Sequence, residues 1–492
     1  MIRLTWVQPE DLIGHELRQA TEDGRNPASG TPAASGTHPG SGTHPAPGTD
    51  SRAAERVVAG TERGDGGRVR EIAERWHAAG GHDAPPRAGA SEPGAMRLRG
   101  LAEELLDELA AIPSPLDEPS DLAAIIAACP SWTQTATKAG VAGSGVAGVD
   151  PKRVLGAWEG RAAGCVLGKP VEKIPRAGIR EIAEATGNWP IRGWFTAKGL
   201  PDDVAARWPW NRRSAVNSLA ENIDGVPEDD DLNYPLLALS LLERHGRGFT
   251  TADVAKLWLD ELPAGRTFTA ERVAYRNLLD GIEPPGTATY RNPFREWIGA
   301  LIRTDVYGWI NPGDPAAAAE LAWRDARLTH TANGIYGAMF VAAMCAASLV
   351  ATSVEEVVRA GLSVVPQHSR LHEAVRLAAE DAAREDDFER VIDRLHERHG
   401  NLHWVHTINN AALIAATLIH GRGDFTATIA GAVAGGWDTD SAGATAGSIA
   451  GALNGGVPDR WRMRNSLASS ITGFDGVGLD ELAARTQEMM RS

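Results

Sequence analysis

Glycine recurs at every fourth position in two separate stretches of this chain: Gly156, Gly160, Gly164 and Gly168 in one, Gly443, Gly447, Gly451 and Gly455 in the other. On a helix that spacing places the glycines along one face. Each weakens a helix by about 1 kcal/mol relative to alanine, so such a face needs a reason. Two reasons are available: close approach of another helix backbone, or of a ligand. A membrane pairing of small residues fits poorly, because Glu159, Arg161, Ser448 and Asn454 interrupt the stretches. The spacing predicts two helices packed closely in the core, bringing Gly168-Lys169-Pro170-Val171-Glu172 near Asp438.

The surroundings agree with a helical setting. From Asp150 onward Ala, Leu, Ile and Val recur at helical spacing, and strand-like alternation is scarce. Thr250-Thr251-Ala252-Asp253, Thr269-Ala270-Glu271 and Ser353-Val354-Glu355-Glu356 read as helix starts with a hydroxyl cap and early acids. Residues 150–490 are therefore expected to form one all-α domain, a compact multi-helix orthogonal bundle. With 492 residues, 43% of them hydrophobic, the chain can bury a large core. Ahead of the domain, residues 1–23 read as a short helical segment. Residues 24–66 read as a Pro/Gly/Ser/Thr linker too poor in apolar surface to offset its ordering entropy. Its His38 and His44 belong to a slipped repeat and are read as linker rather than metal ligands. Residues 67–149 hold helix candidates at 68–79 and 98–112 and a second linker at 140–148.

Composition excludes some functions. A formal net charge of −15 argues against duplex nucleic acid as the main partner. Cys129, Cys165 and Cys345 are scattered and lack metal-type spacing, as buried thiols in a reducing compartment would be. The longest apolar run, residues 334–351, is Ala-rich and has neither an aromatic belt nor a basic flank, so it reads as a buried helix rather than a membrane span. No apolar signal core follows Met1. The expectation is a cytoplasmic monomer with no membrane partner.

Two acidic clusters carry the chemistry. One is Glu228-Asp229-Asp230-Asp231; the other is Gly435-Gly436-Trp437-Asp438-Thr439-Asp440-Ser441. Viewed alone, each suits a helix N-terminus, where acids complement the dipole. Brought together, the carboxylates would repel one another unless solvent, protons or a cation intervened. Carboxylate and hydroxyl oxygens, with no cysteine or histidine nearby in sequence, suit Mg²⁺ or Mn²⁺ rather than zinc.

The glycine stretch ending in Gly168-Lys169-Pro170-Val171-Glu172, then Asp229-Asp230-Asp231, then Gly436-Trp437-Asp438-Thr439-Asp440-Ser441, resembles the ADP-ribosylglycohydrolase family over about residues 150–460. The resemblance implies an all-helical fold with two Mg²⁺ or Mn²⁺ ions in a central cleft. It implies metal ligation by Glu228, Asp229, Asp230, Asp438, Asp440 and Ser441, with Glu172, Asp229 and Asp230 as the catalytic carboxylates. Gly168, His330, Asn333 and Trp437 would contact the substrate. The implied partner is an ADP-ribosylated protein or a ribosyl small molecule, cleaved at ribose C1″ through an oxocarbenium-like transition state.

The chain also departs from the family pattern. Glu228 and Asp231 stand where threonine is usual, and Trp437 where a second glycine is. An aromatic segment, Trp194-Phe195 and Trp208-Pro209-Trp210-Asn211-Arg212-Arg213, suits either a base-stacking platform or a structural lid. His403-Trp404-Val405-His406 reads as a helix start near the cleft rather than a metal pair, and Arg291 to Trp297 as surface ion pairing rather than a phosphate contact. Two rival functions remain open at this point. One is an N-ribosyl hydrolase of nucleosides or nucleotides; the other is a non-catalytic binding protein on the same fold.

Overall fold

The computed structural model describes residues 7–26, 65–85, 93–132, 148–211 and 214–491. The chain divides into two compact units: residues 1–116 with 291–294, and residues 117–290 with 295–492. The 140–148 linker reading falls almost wholly outside the described residues, as does most of the 24–66 linker with His38 and His44.

The first unit contains helices α1 (Pro9–Glu22), α2 (Asp65–Ala78) and α3 (Arg99–Ala110). Leu12, Ile13, Val69, Trp76, Leu105 and Leu109 fill its core. Two buried acids of α1 pair with cations: Arg99 reaches Glu10 at 2.9 Å, and Arg25 reaches Glu16 at 2.6 Å. His15 is buried edge-on against Phe294, with ring centroids 4.9 Å apart. Burial, with help from Arg18, lowers its pKa from 6.5 to about 3. The folded unit therefore binds fewer protons than the unfolded chain between those values, and stability falls as pH drops through the window. At about 1.36 kcal/mol per pKa unit the full loss is on the order of 5 kcal/mol. Protection factors of the α1 amides, corrected for the intrinsic pH dependence of exchange, should fall from pH 6.5 downward, and His15→Gln should flatten that dependence.

In the second unit the helices are α4 (Leu122–Ala127), α5 (Pro151–Gly168), α6 (Arg176–Ala185), α7 (Asp202–Arg207), α8 (Asp230–His245), α9 (Thr251–Glu261), α10 (Thr269–Leu279), α11 (Gly286–Thr289), α12 (Asp305–Trp309) and α13 (Pro315–Ala326). They continue with α14 (Ala332–Ser348), α15 (Val354–Leu362), α16 (Arg370–Arg384), α17 (Phe388–His399), α18 (Thr407–Gly421), α19 (Phe425–Ala434), α20 (Thr439–Asn454) and α21 (Leu479–Arg491). Among the described residues β-pairing is confined to two isolated bridges, Val226 with Leu467 and Trp297 with His406. The architecture is all-α. The apolar run forms α14, buried along its length, and no described helix is long and apolar enough to cross a membrane.

Helices α5 and α20 lie against each other with no side chain between them. Gly156 faces Gly451, Gly160 faces Gly447, Gly164 faces Gly443, and Gly168 faces Thr439, an antiparallel register. A Cβ placed on any of these four α5 glycines would come within 1.8–2.3 Å of a carbonyl oxygen on the partner helix. Helix backbone is thus the reason for both stripes. One member differs: Gly455 lies past the contact and takes a left-handed φ of 65° as the cap that ends α20.

Two of the three expected hydroxyl caps occur. Thr250 forms a reciprocal capping box with Asp253, and Ser353 accepts from the Glu356 amide. Thr269 does not cap; it is the first residue of α10, preceded by Phe268. Its early acid, Glu271, is drawn instead into the core beside Arg303, at 3.0 Å.

Candidate metal centre

The last rung of the glycine pairing sets the site. Thr439 Oγ1 donates to the Gly168 carbonyl at 2.9 Å, so the segments carrying Lys169 to Glu172 and Asp438 to Ser441 leave the helix pair at the same end. The third element is the start of α8, where Asp229 caps the helix by accepting from the Asp231 amide at 3.0 Å. Arg161, fully buried on α5, draws α8 in. Its Nε donates to the Asp231 carbonyl at 2.6 Å and its Nη1 to Asp305 Oδ2 at 3.0 Å. Ser441 Oγ then donates to Asp231 Oδ2 at 3.3 Å, joining the two acidic clusters.

Asp438 is the residue before α20, yet its carboxylate caps nothing. Its amide is held by Asn410 Oδ1 at 3.2 Å, and Asn410 in turn donates to the carbonyls of Trp404 and His406 at 2.9 and 2.8 Å. The DxD loop is thereby fixed to the start of α18, with the carboxylate left for the cluster.

Electrostatics make the cluster a candidate cation site. Burial, then the charges of Asp229, Asp231, Asp440 and Glu172, pushes the Asp230 pKa well above the carboxylate range. Burial and the neighbouring Asp440 do the same to Asp438, while burial and Glu172 raise Asp440. Asp438 and Asp440 act directly on each other's ionisation, the charge of Asp440 helping to keep the Asp438 proton in place. Asp229 is the exception. Burial opposes its ionisation, but the charge of Lys169 beside it brings its pKa below the usual value. Lys169 Nζ bonds Asp229 Oδ2 and donates to the Glu228 carbonyl at 3.0 Å. Buried carboxylates that must share protons to coexist are a donor set for a hard divalent cation, which relieves the same repulsion. Cysteine is absent from the local sequence but present in space: Cys165 Sγ, Asp229 and Asp231 offer ligand atoms within 4.8 Å of one another. Burial raises that thiol pKa well above 9.0, so it is neutral.

The sequence candidates separate into groups. Glu172, Asp229, Asp230, Asp438, Asp440 and Ser441 converge, with Gly168 forming the backbone wall. Trp437 borders them with φ 62° and stacks on His396, centroids 4.3 Å apart. Glu228 has its carboxylate turned elsewhere: Ser470 N donates at 3.0 Å, Asn233 Nδ2 at 3.2 Å, and Arg266 lies at 2.8 Å. His330 and Asn333 belong to other networks. His330 is buried against Thr329 and lies 3.9 Å from Glu271, whereas Asn333 donates to Glu118 at 2.7 Å and accepts from Leu371 N at 3.0 Å. His403 stacks on Trp297, centroids 4.1 Å apart, and His406 caps α18, as a helix start would.

The tryptophans of the aromatic segment pack on the hydrophobic core around Ile179, Phe195 and Trp461 rather than standing free; Arg212 and Arg213 lie outside the described residues. The sequence assigns no role to Lys169, Arg161 or Asn410, and places Asp231 in the acidic cluster without making it a ligand. A signal existed for one of them: Asp231 lies directly beside the predicted pair.

The ADP-ribosylglycohydrolase family model matches residues 147–490, well over half of the chain. The chain belongs to the ADP-ribosylglycohydrolase family. It is thus a glycosyl hydrolase, and the buried acidic cluster sits within the matched region. An uncharacterized protein of Archaeoglobus fulgidus is 27% identical over 333 residues, covering 67% of this chain and 94% of its own. A solved structure described as an ADP-ribosylglycohydrolase-related protein complex aligns with 22% identity and a TM-score of 0.41, over 69% of this chain and 98% of its own.

Proposed function

We propose that this protein is a Mg²⁺-dependent hydrolase that releases ADP-ribose, or a related ribosyl group, from a modified protein or small molecule. The observation that carries the reading is the convergence of both acidic clusters at one end of the α5–α20 pair, joined by the Ser441–Asp231 hydrogen bond. Asp229, Asp230, Asp231, Asp438, Asp440 and Ser441 would hold two Mg²⁺, with Mn²⁺ as a substitute. Bound there, the ions supply Lewis acidity toward vicinal ribose hydroxyls and an attacking water.

The chain's own groups do the rest. Lys169 keeps Asp229 ionised, and Arg161 fixes Asp231 from below. Glu172 stands at the rim, its side chain only partly buried, and takes a proton from water as that water adds to C1″. The remaining carboxylates stabilise the positive charge that develops on the ribose. With its tryptophans packed against the core, the aromatic segment gives no support to a base-stacking role.

The test is release of ribosyl product from ADP-ribosylated arginine, ADP-ribosylated serine and a nucleoside panel, each with Mg²⁺. Turnover of an ADP-ribosylated substrate is expected. Release from nucleosides alone would overturn the ADP-ribose reading, and cation binding without any turnover would favour a binding protein.

A further inference from the structure

Glu172, at the rim of the cluster, is held by two side chains. Oε1 lies 2.7 Å from Lys173 Nζ, and Oε2 accepts from Asn211 Nδ2 at 2.6 Å. Asn211 comes from a different part of the chain, the tryptophan-rich segment between α6 and α8. Its main-chain amide donates to the Pro170 carbonyl at 3.0 Å, two residues before Glu172, so the contact has two points. The segment behind it is anchored. Trp208 Nε1 donates to Glu181 on α6 at 2.6 Å, and the Trp208 ring covers Gly178, where a Cβ would lie 2.6 Å from it. Trp210 meets Phe195 edge-on at 6.2 Å, and Trp194 meets Trp461 at 4.8 Å. A rigid aromatic platform therefore presents one amide to one acid.

We infer that Asn211 is a positioning residue, whose side-chain amide holds the Glu172 carboxylate against the acidic cluster and so strengthens the cluster's hold on a divalent cation. An Asn amide cannot be a general acid or base here, but it supplies a directed N–H to an anion, the kind of support that orients ligand carboxylates. Without it, Lys173 is the remaining partner of Glu172 and draws the carboxylate toward solvent. The tryptophan segment thus acts on the site through Glu172, not as a substrate surface. The inference rests on the cation reading above, but not on any substrate.

Mn²⁺ titration of the full-length chain, followed by electron paramagnetic resonance, tests it. Asn211→Ala should weaken Mn²⁺ binding about tenfold, with Asn211→Ser doing the same. Glu172→Gln should weaken it at least as much, and the double variant Asn211→Ala/Glu172→Gln no further than Glu172→Gln alone. Wild-type affinity in both Asn211 variants would overturn the inference, as would losses that multiply in the double variant. The titration needs no substrate, so it decides on Asn211 even if no ribosyl compound is turned over. A wild-type chain that takes up no Mn²⁺ would overturn both readings.

Discussion

Gly164→Ala is expected to cost on the order of 4 kcal/mol or more, although alanine is the better helix former. The added methyl would stand 1.8 Å from the Gly443 carbonyl oxygen and 2.3 Å from its carbon. Neither atom belongs to a flexible side chain, so relief requires the two helices to separate. Separation along α5 strips the contacts of Gly156, Gly160 and Gly168 at the same time, since all face the same partner. For a domain of this size the melting temperature should fall by roughly 5 °C or more, and calorimetry of the whole chain would measure it. Gly100→Ala on α3 is the control. Nothing lies within 4 Å of its added methyl, so that variant should hold or gain up to about 1 kcal/mol. Equal melting of the Gly164 variant and wild type would mean that the stripes have some other purpose.

Asp438→Asn and Asp440→Asn should abolish turnover and leave the helical fold intact. Loss of groups that merely support a ligand costs about tenfold to hundredfold, so loss of a ligand should exceed about a hundredfold. The stability effect runs the other way. Both acids have pKa values raised in the folded state, first by burial and then by neighbouring carboxylates. A carboxyl group whose pKa is raised by folding favours the folded state below its unfolded value near 4. That benefit is lost as pH climbs toward the folded value. Asparagine has the same shape and no proton to lose. The metal-free Asn variants should therefore melt at or above the wild-type temperature at neutral pH. Adding Mn²⁺ should raise the wild-type melting temperature and leave the variants nearly unchanged, since only a ligand bound to the folded state stabilises it. Thermal melts with and without Mn²⁺ check both halves. A variant that keeps full activity would refute the assignment of these acids to a metal.

What could be read in advance depended on how local each signal was. The glycine stripes were legible because a missing side chain is itself the sequence signal for backbone contact. The acidic clusters were legible because their ligands crowd into a few adjacent positions. Lys169 and Arg161 were not: each is a lone cation on an apolar or glycine-rich stretch, and only the approach of α8 gives it a carboxylate. Gly455 shares the four-residue period of its stripe, yet its left-handed φ makes it a cap, a distinction that spacing cannot carry. Glu228 sits in the right loop, but Ser470, more than two hundred positions away, together with Arg266 and Asn233, decides where its carboxylate points. Trp437 shows the reverse case. Its φ of 62° is one that glycine adopts without strain, and its stacking on His396 helps hold a tryptophan there instead.

The rung between Gly168 and Thr439 ties catalytic geometry to the least compressible contact in the molecule. Side chains can change rotamer and loops can breathe, but two peptide backbones already touching have no slack to give. The placement of the Glu172 segment relative to Asp438 and Asp440 is therefore a property of the scaffold, insensitive to which residues line the rim. Substitutions around the cleft can alter what the enzyme accepts without disturbing where its acids meet. Heat, for its part, cannot loosen the centre gradually: the acids stay in register until the helix pair itself comes apart.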